Sequence, residues 1–338
     1  LIMELYKQLL EANKSHVFTK DMTHEQWLTA RRGSIGGSDA GAIMGLNKWA
    51  SPLTVYLDKK GLNTFEGNTA TERGNWLEDP IRQKCREELE VPIEAVPYMF
   101  TSEKHSFMSA NIDGVIYLQE EKEINGIALK GLGGHEIKTS QHGDGFTENE
   151  IPDSYFAQTQ HYMAVLNLPW FVLSAYLIDK NEFHHYVIQR DDEFIGRLIE
   201  AEKDFWENFV EKDVMPAPSG VDAESDLIAD MFKGSSVSII LDGEAESLSA
   251  EYLLINEKVK EMEARKAQIA SSLKLKIIEQ QTGSQDDKAK AVAGKYNISF
   301  SKFMRKSVDS EKLKKDGIYE TYCKESESSM FRITEPKK

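Results

Sequence analysis

Cysteine is almost missing from this 338-residue chain, which holds only Cys85 and Cys323. One pair cannot build a disulfide framework, a four-cysteine zinc site or a four-cysteine iron–sulfur cluster, so a reducing cytoplasm is the expected compartment. Also missing is any apolar run near the roughly 20 residues that cross a bilayer, and no signal-peptide pattern opens the sequence; no membrane role is expected. Positive charge is in deficit, with 41 Lys and Arg against 56 Asp and Glu and a formal net charge of −15. Such a chain is no general polyanion binder. Any contact with nucleic acid must run through local basic patches or bound cations. What remains is an ordinary globular composition, 40% hydrophobic and 29% charged. It is too apolar for disorder and long enough for one large domain with a substantial appendage.

Residues 1–218 mix helical and strand patterns and read as a core. The stretch Met215-Pro-Ala-Pro-Ser-Gly220, followed by acidic sequence, reads as its edge, with residues 219–338 as an extension. In that extension Leu248, Tyr252, Ile255, Val259 and Met262, then Ile269, Leu273 and Ile277, keep one helical face. They predict a single helix over about 246–282 that stops at Gly283 and lies on the protein's own surface. Lys266 interrupts the stripe, which argues against a regular coiled coil. Tyr296, Ile298 and Phe300 then alternate with polar residues as a half-buried strand. Six basic residues (Lys288, Lys290, Lys295, Lys302, Arg305 and Lys306) and no acidic one lie between 288 and 306. They suit either a solvated strand face or a nucleic-acid contact.

Within the core the order is a helical section to Leu28, a glycine-rich turn, and a helix over about 72–90. Two strands follow, Met108 to Leu118 and Gly134 to Thr139, separated by a charged loop that ends in glycines. A helix over 154–166, a hairpin (171–178 with 183–188) and a closing helix over 193–209 complete it. Strands enclosed by helices predict an α/β (α+β mixed) domain with a mixed sheet packed by helices.

Asp113 and Glu136 are charges embedded in strand patterns, where desolvation is costly unless the group is paired or metal-bound. Glu136 and Lys138 lie two apart and share a strand face. If the two strands are neighbours, Asp113 and Glu136 converge on one ion and the carbonyl of Ile137 adds a third oxygen, a donor set suited to Mg²⁺ or Mn²⁺. The alternative is a Glu136–Lys138 ion pair without metal. Arg31 can hold a phosphate through a bidentate fork, and Ser38 sits in a Gly36-Gly37-Ser38 turn whose amides can also donate; Ser38 equally suits a helix N-cap. Tyr155, Gln158 and Tyr162 fall on one helical face, where Gln158 either bonds a phosphate or water or packs under two aromatics. His135 and His161 lack metal-ligand spacing with another His or Cys and read as structural. No nucleophile elbow appears, and Gly131-Leu-Gly-Gly134 reads as a turn before a strand rather than a nucleotide-binding loop.

In order along the chain stand Arg31-x-Gly33-x-Ile35-Gly36-Gly37-Ser38-Asp39-Ala40, Gly74-Asn-Trp-Leu-Glu78-Asp-Pro80, Ala110-Asn-Ile-Asp113-Gly114, Glu136-Ile-Lys138 and Ile151-Pro-x-x-Tyr155-x-x-Gln158-x-Gln160-x-Tyr162. This series, over roughly residues 27–210, resembles the YqaJ-type viral recombinases, the group that includes phage lambda exonuclease, within the PD-(D/E)XK nuclease superfamily. The resemblance implies that Asp113, Glu136 and Glu78 ligate two Mg²⁺ or Mn²⁺ ions and that Lys138 positions or activates the attacking water. It implies too that Arg31 and Ser38 receive a terminal 5′-phosphate, with Gln158 and Tyr155 beside the substrate. The implied activity is 5′→3′ digestion of double-stranded DNA ends, leaving 3′ single strands for an annealing protein. A ring-shaped homotrimer is the implied assembly. The other readings kept are an endonuclease or single-strand nuclease of the same superfamily, and a non-catalytic DNA-binding module.

Overall fold

The computed structural model describes residues 6–63, 69–232, 234, 238–280, 287–324 and 329–334. It divides into two units, Leu1–Phe232 and Lys233–Lys338. The first opens with α1 (Tyr6–Ala12), β1 (His16–Phe18), α2 (His24–Arg32), β2 (Ile35–Gly36), α3 (Gly37–Ile43) and α4 (Pro52–Lys59). Then come α5 (Thr69–Leu89), β3 (Ile93–Glu94), β4 (Tyr98–Thr101), β5 (Met108–Ala110), β6 (Gly114–Ile124) and β7 (Ile127–Ser140). It closes with α6 (Asp153–Leu166), β8 (Trp170–Leu177), β9 (Glu182–Gln189), α7 (Asp192–Phe205) and α8 (Asp222–Met231).

A five-stranded sheet, ordered β3-β6-β7-β8-β9, carries the architecture. Its neighbours are antiparallel except β7 and β8, which run parallel. Parallel neighbours need a crossover, and α6 supplies it. The sequence of β8, Trp-Phe-Val-Leu-Ser-Ala-Tyr-Leu, shows why this strand is central: it is apolar on both faces. Phe171, Leu173, Ala175 and Leu177 pack toward a core shared with Tyr162 and Met163 of α6. Trp170 and Val172 point the other way, into a core with Ile81, Cys85 and Leu89 of α5. Helices therefore cover the sheet on both sides, the mixed α/β arrangement expected of a PD-(D/E)XK core.

Three local expectations are corrected. The segment between the two site strands is no loop: β6 and β7 continue as a long antiparallel hairpin, turning at Asn125-Gly126, where both residues have positive φ. The Gly131–Gly134 stretch lies inside β7 rather than in a turn before it. A Cβ at Gly133 would fall 2.3 Å from the Trp170 ring and one at Gly134 2.1 Å from Phe171, so these glycines make room for the two aromatics of β8. The stretch Met108–Leu118 is not one strand. It breaks at Asn111-Ile-Asp113, because β5 belongs to a second sheet, ordered β1-β4-β5-β2, while β6 belongs to the first.

Beyond Met215–Gly220 the chain remains tied to the first unit. Glu224 of α8 accepts from the Ser51 hydroxyl at 2.5 Å and from the amides of Ser219 and Gly220. The second unit holds α9 (Gly243–Glu279), β10 (Lys288–Ala293), β11 (Tyr296–Ser301) and α10 (Ser310–Lys315). Its long helix is present; Leu248, Tyr252, Ile255, Val259, Met262 and Ile269 along the stripe are exposed, and Ile277 is buried. The expected stop at Gly283 lies outside the described residues.

Candidate active site

The hairpin register brings the site together. Gly114 pairs with His135 at the end of the ladder, so Asp113, just before β6, leaves the sheet beside Glu136 and Ile137. The contact is made through the backbone: the Ile137 amide donates to Asp113 Oδ2 at 2.8 Å. The break between sheets thus does what a mid-strand aspartate could not, because it leaves the carboxylate free to fold back over β7. Two residues apart on one face, Lys138 Nζ and Glu136 Oε1 are 2.8 Å apart. From the facing helix α6, Gln158 Nε2 donates to the same oxygen at 2.7 Å. The other oxygen of Glu136, Oε2, is buried with no hydrogen-bond partner among the described residues.

Electrostatics follow from that crowding. Burial, and then the charge of Asp113, push Glu136 up to about 8. Burial also raises Asp113, against the pull of Lys138, the Ile137 amide and Arg82. For Lys138 burial works downward, but the charges of Glu136 and Asp113 outweigh it, and its pKa rises. The group is an ammonium, and it also lies 4.9 Å over the Tyr155 ring. Glu78, on α5, is pushed up to about 7 by burial and then by Asp113. Its carboxylate is held by Arg82, which also grips Asp79 and donates to the Asp113 carbonyl at 3.2 Å.

Among the described residues no three Asp, Glu, His or Cys side chains stand ready to ligate one metal ion. Asp113, Glu136 and the Ile137 carbonyl nevertheless fit a hard divalent cation. The fit rests on Glu136: a buried carboxylate oxygen without a donor, beside a second acidic group, is a position a cation would satisfy. Glu78 stands apart from that set, committed to Arg82.

The second cluster lies on α2, β2 and α3. Arg31 donates from Nη2 to Ser38 Oγ at 2.8 Å and stacks 4.7 Å over Trp27. Ser38 is not the N-cap of α3: Gly36 holds that position, and its amide is taken by Asp39 Oδ2 at 2.9 Å. The Ser38 side chain is thereby left exposed beside Arg31. A Cβ on Gly37 would fall 2.4 Å from the Tyr162 ring, and Gln158 Nε2 donates to the Tyr162 hydroxyl at 2.9 Å. A continuous path of contacts, Arg31–Ser38–Gly37–Tyr162–Gln158–Glu136–Lys138, therefore joins the two clusters.

Two residues that no motif flagged hold these clusters in shape. Lys59, its side chain fully buried on α4, lies 2.6 Å from Asp39 Oδ2 and donates to the Arg31 carbonyl at 3.2 Å. Arg82 anchors Glu78 to the Asp113 backbone. A lysine closing the apolar helix Pro52–Lys59, and an arginine four residues after Glu78, were the only signals available. His135 is buried, bonds Ser174 Oγ at 2.9 Å and is held neutral, burial depressing it to about 3. His161 sits between Glu202 Oε1 and the Ser109 carbonyl, each at 2.8 Å. Gln160 bonds the Gln189 carbonyl and the Asp191 amide.

Residues 26–168 match the family described as "YqaJ-like viral recombinase domain". The chain is 28% identical over 335 residues to the uncharacterized protein YqaJ of Bacillus subtilis (strain 168), covering 96% of this chain and 99% of that one. Among solved structures it is similar to an alkaline exonuclease (LHK-Exo) from Laribacter hongkongensis, at 20% identity and a TM-score of 0.41, covering 62% of this chain and 100% of that one. A phage-related exonuclease from Haemophilus somnus 129PT matches at 17% identity and a TM-score of 0.38, covering 53% and 96%. No helix among the described residues is long and apolar enough to cross a membrane.

Proposed function

From residues 26–168, which form a YqaJ-like viral recombinase domain, we propose that the chain is a divalent-metal-dependent deoxyribonuclease. It digests double-stranded DNA from its ends in the 5′→3′ direction and leaves 3′ single strands for an annealing protein. The observation that carries this reading is the buried pair Asp113 and Glu136, with one Glu136 oxygen lacking a donor and the Lys138 ammonium 2.8 Å from the other.

Asp113, Glu136 and the Ile137 carbonyl would hold Mg²⁺ or Mn²⁺, and Glu78 would reach a second ion by giving up Arg82. Bound there, such cations stabilise the incoming and leaving oxygens of an in-line phosphodiester displacement. The remaining work belongs to the protein. Lys138, 2.8 Å from Glu136 Oε1, would position or activate the attacking water and offset developing charge at the phosphate. Gln158 fixes Glu136 and, through Tyr162, the glycine turn before Ser38. Tyr155 supplies the ring face under the Lys138 ammonium. Arg31 and Ser38 already share a hydrogen bond, so they present a preformed fork and hydroxyl to a terminal 5′-phosphate. That phosphate sets the register of the strand.

The proposed assembly is a ring-shaped homotrimer around duplex DNA, in which an acidic exterior coexists with a cation-lined channel; sedimentation of the full chain checks it. The decisive assay incubates the protein with Mg²⁺ on blunt, 5′-phosphorylated linear duplex beside closed circular duplex, with and without chelator. Linear DNA should be lost, the circle spared, and chelator should stop the reaction. Cutting of the circle would assign an endonuclease, preference for single strands a single-strand nuclease, and no cutting at all a binding module.

A further inference from the structure

The hairpin β10–β11 has two faces of opposite character. Its register pairs Lys288 with Ser301, Lys290 with Ser299 and Val292 with Asn297. Alternation sets these residues on one face, and all of them are exposed. On the other face Ala289, Ala291, Ile298 and Phe300 are half-buried, and Lys274 of α9 lies 5.6 Å over the Phe300 ring. One side of the ribbon is thus partly covered and meets α9 at Phe300, and the other offers ammonium groups alternating along the strand and faced by hydroxyls.

The charge pattern is local, and it begins directly after Asp286 and Asp287. Lys288, Lys290, Lys295, Lys302, Arg305 and Lys306 stand in a stretch with no acidic residue, in a chain of net charge −15. The ion pairs among the described residues include none of them. Some basic groups of the first unit, Lys59, Arg82 and Lys138 among them, do have carboxylate partners.

We propose that this outward face is a second DNA-binding site, which grips the sugar–phosphate backbone of duplex DNA away from its ends. Ammonium and hydroxyl groups both donate to phosphate oxygens and carry no preference for a base. A two-stranded β-ribbon fits the major groove of a duplex. The face Lys288–Lys290–Val292–Asn297–Ser299–Ser301 carries no aromatic ring, so it lacks the stacking platform that single strands favour. The site lies outside residues 26–168 and does not require the nuclease reading to hold.

The test uses the full chain in EDTA and a fluorescent duplex closed by a loop at each end, which offers no 5′ terminus to Arg31. The wild-type protein should bind it with strong salt dependence. The double variant Lys288→Ala/Lys290→Ala should bind more weakly, with a slope of log affinity against log salt shallower by about 1.8. Between 50 and 200 mM salt, wild-type affinity should therefore fall about tenfold further than that of the variant. The variant Lys288→Arg/Lys290→Arg should bind as the wild type does. An unchanged slope, no wild-type binding to the closed duplex, or a larger loss on a single-stranded oligonucleotide would each overturn the proposal. Cleavage of linear duplex with Mg²⁺, measured separately at saturating DNA, reports on the nuclease reading alone.

Discussion

Replacing Glu136 by glutamine tests the carboxylate site without relying on turnover. Burial, followed by the charge of Asp113, lifts Glu136 from 4.5 to about 8. Between those values the folded protein keeps a proton that the unfolded chain has released. Folding stability from this group is therefore complete below about pH 4.5 and lost as pH rises through about 8. At about 1.36 kcal/mol per pH unit, the loss at alkaline pH is on the order of 5 kcal/mol. Glu136→Gln keeps the shape and one oxygen to accept from Lys138 and Gln158, but it cannot ionise. In chelator the two proteins should melt close together near pH 5. Near pH 8.5 the variant should melt higher by about 5–10 °C. Mg²⁺ should then raise the wild type at that pH and do little for the variant, since only a site that binds the folded state gains from ligand. Scanning calorimetry reads both effects. A variant that melts with or below the wild type near pH 8.5 in chelator would refute the reasoning, because Glu136 would then carry no unrelieved charge.

The other predictions follow from single contacts. Lys138→Ala should abolish cleavage while leaving DNA binding with Ca²⁺ intact, since the proposed oxygen ligands survive; a filter-binding assay beside an end-labelled cleavage assay separates the two. Arg31→Ala should cost more on 5′-phosphorylated ends than on hydroxyl ends, and equal loss on both would remove its phosphate role. Gly134→Ala should destabilise the fold by about 1–3 kcal/mol or more, read from denaturant midpoints, because its Cβ would fall 2.1 Å from the Phe171 ring.

Site residues were readable from the chain to the extent that their chemistry is local. Glu136 and Lys138 share a face because any strand alternates, and Gln158 and Tyr162 share one because any helix repeats. The hairpin of 171–178 with 183–188 is legible as two apolar runs, and β8 and β9 pair as expected. What periodicity could not reveal is which strands are neighbours. It merged β5 with β6, since both are apolar, although they belong to different sheets. The two readings of Ser38 could not be separated for a related reason: serine and glycine both suit an N-cap, and only the Asp39 carboxylate on the Gly36 amide gives that position to Gly36.

The amino-acid sequence alone determined the ordered set of acidic, basic and amide groups and the helix and strand periods that carry them. Those follow from covalent order and short-range sterics. Tertiary structure alone decided that Asp113 accepts from the Ile137 amide, that one oxygen of Glu136 is buried without a donor among the described residues, and that Lys59 braces the Arg31 turn. These depend on pairing between segments far apart in the chain, and on desolvation that arises only once both faces of the sheet are covered.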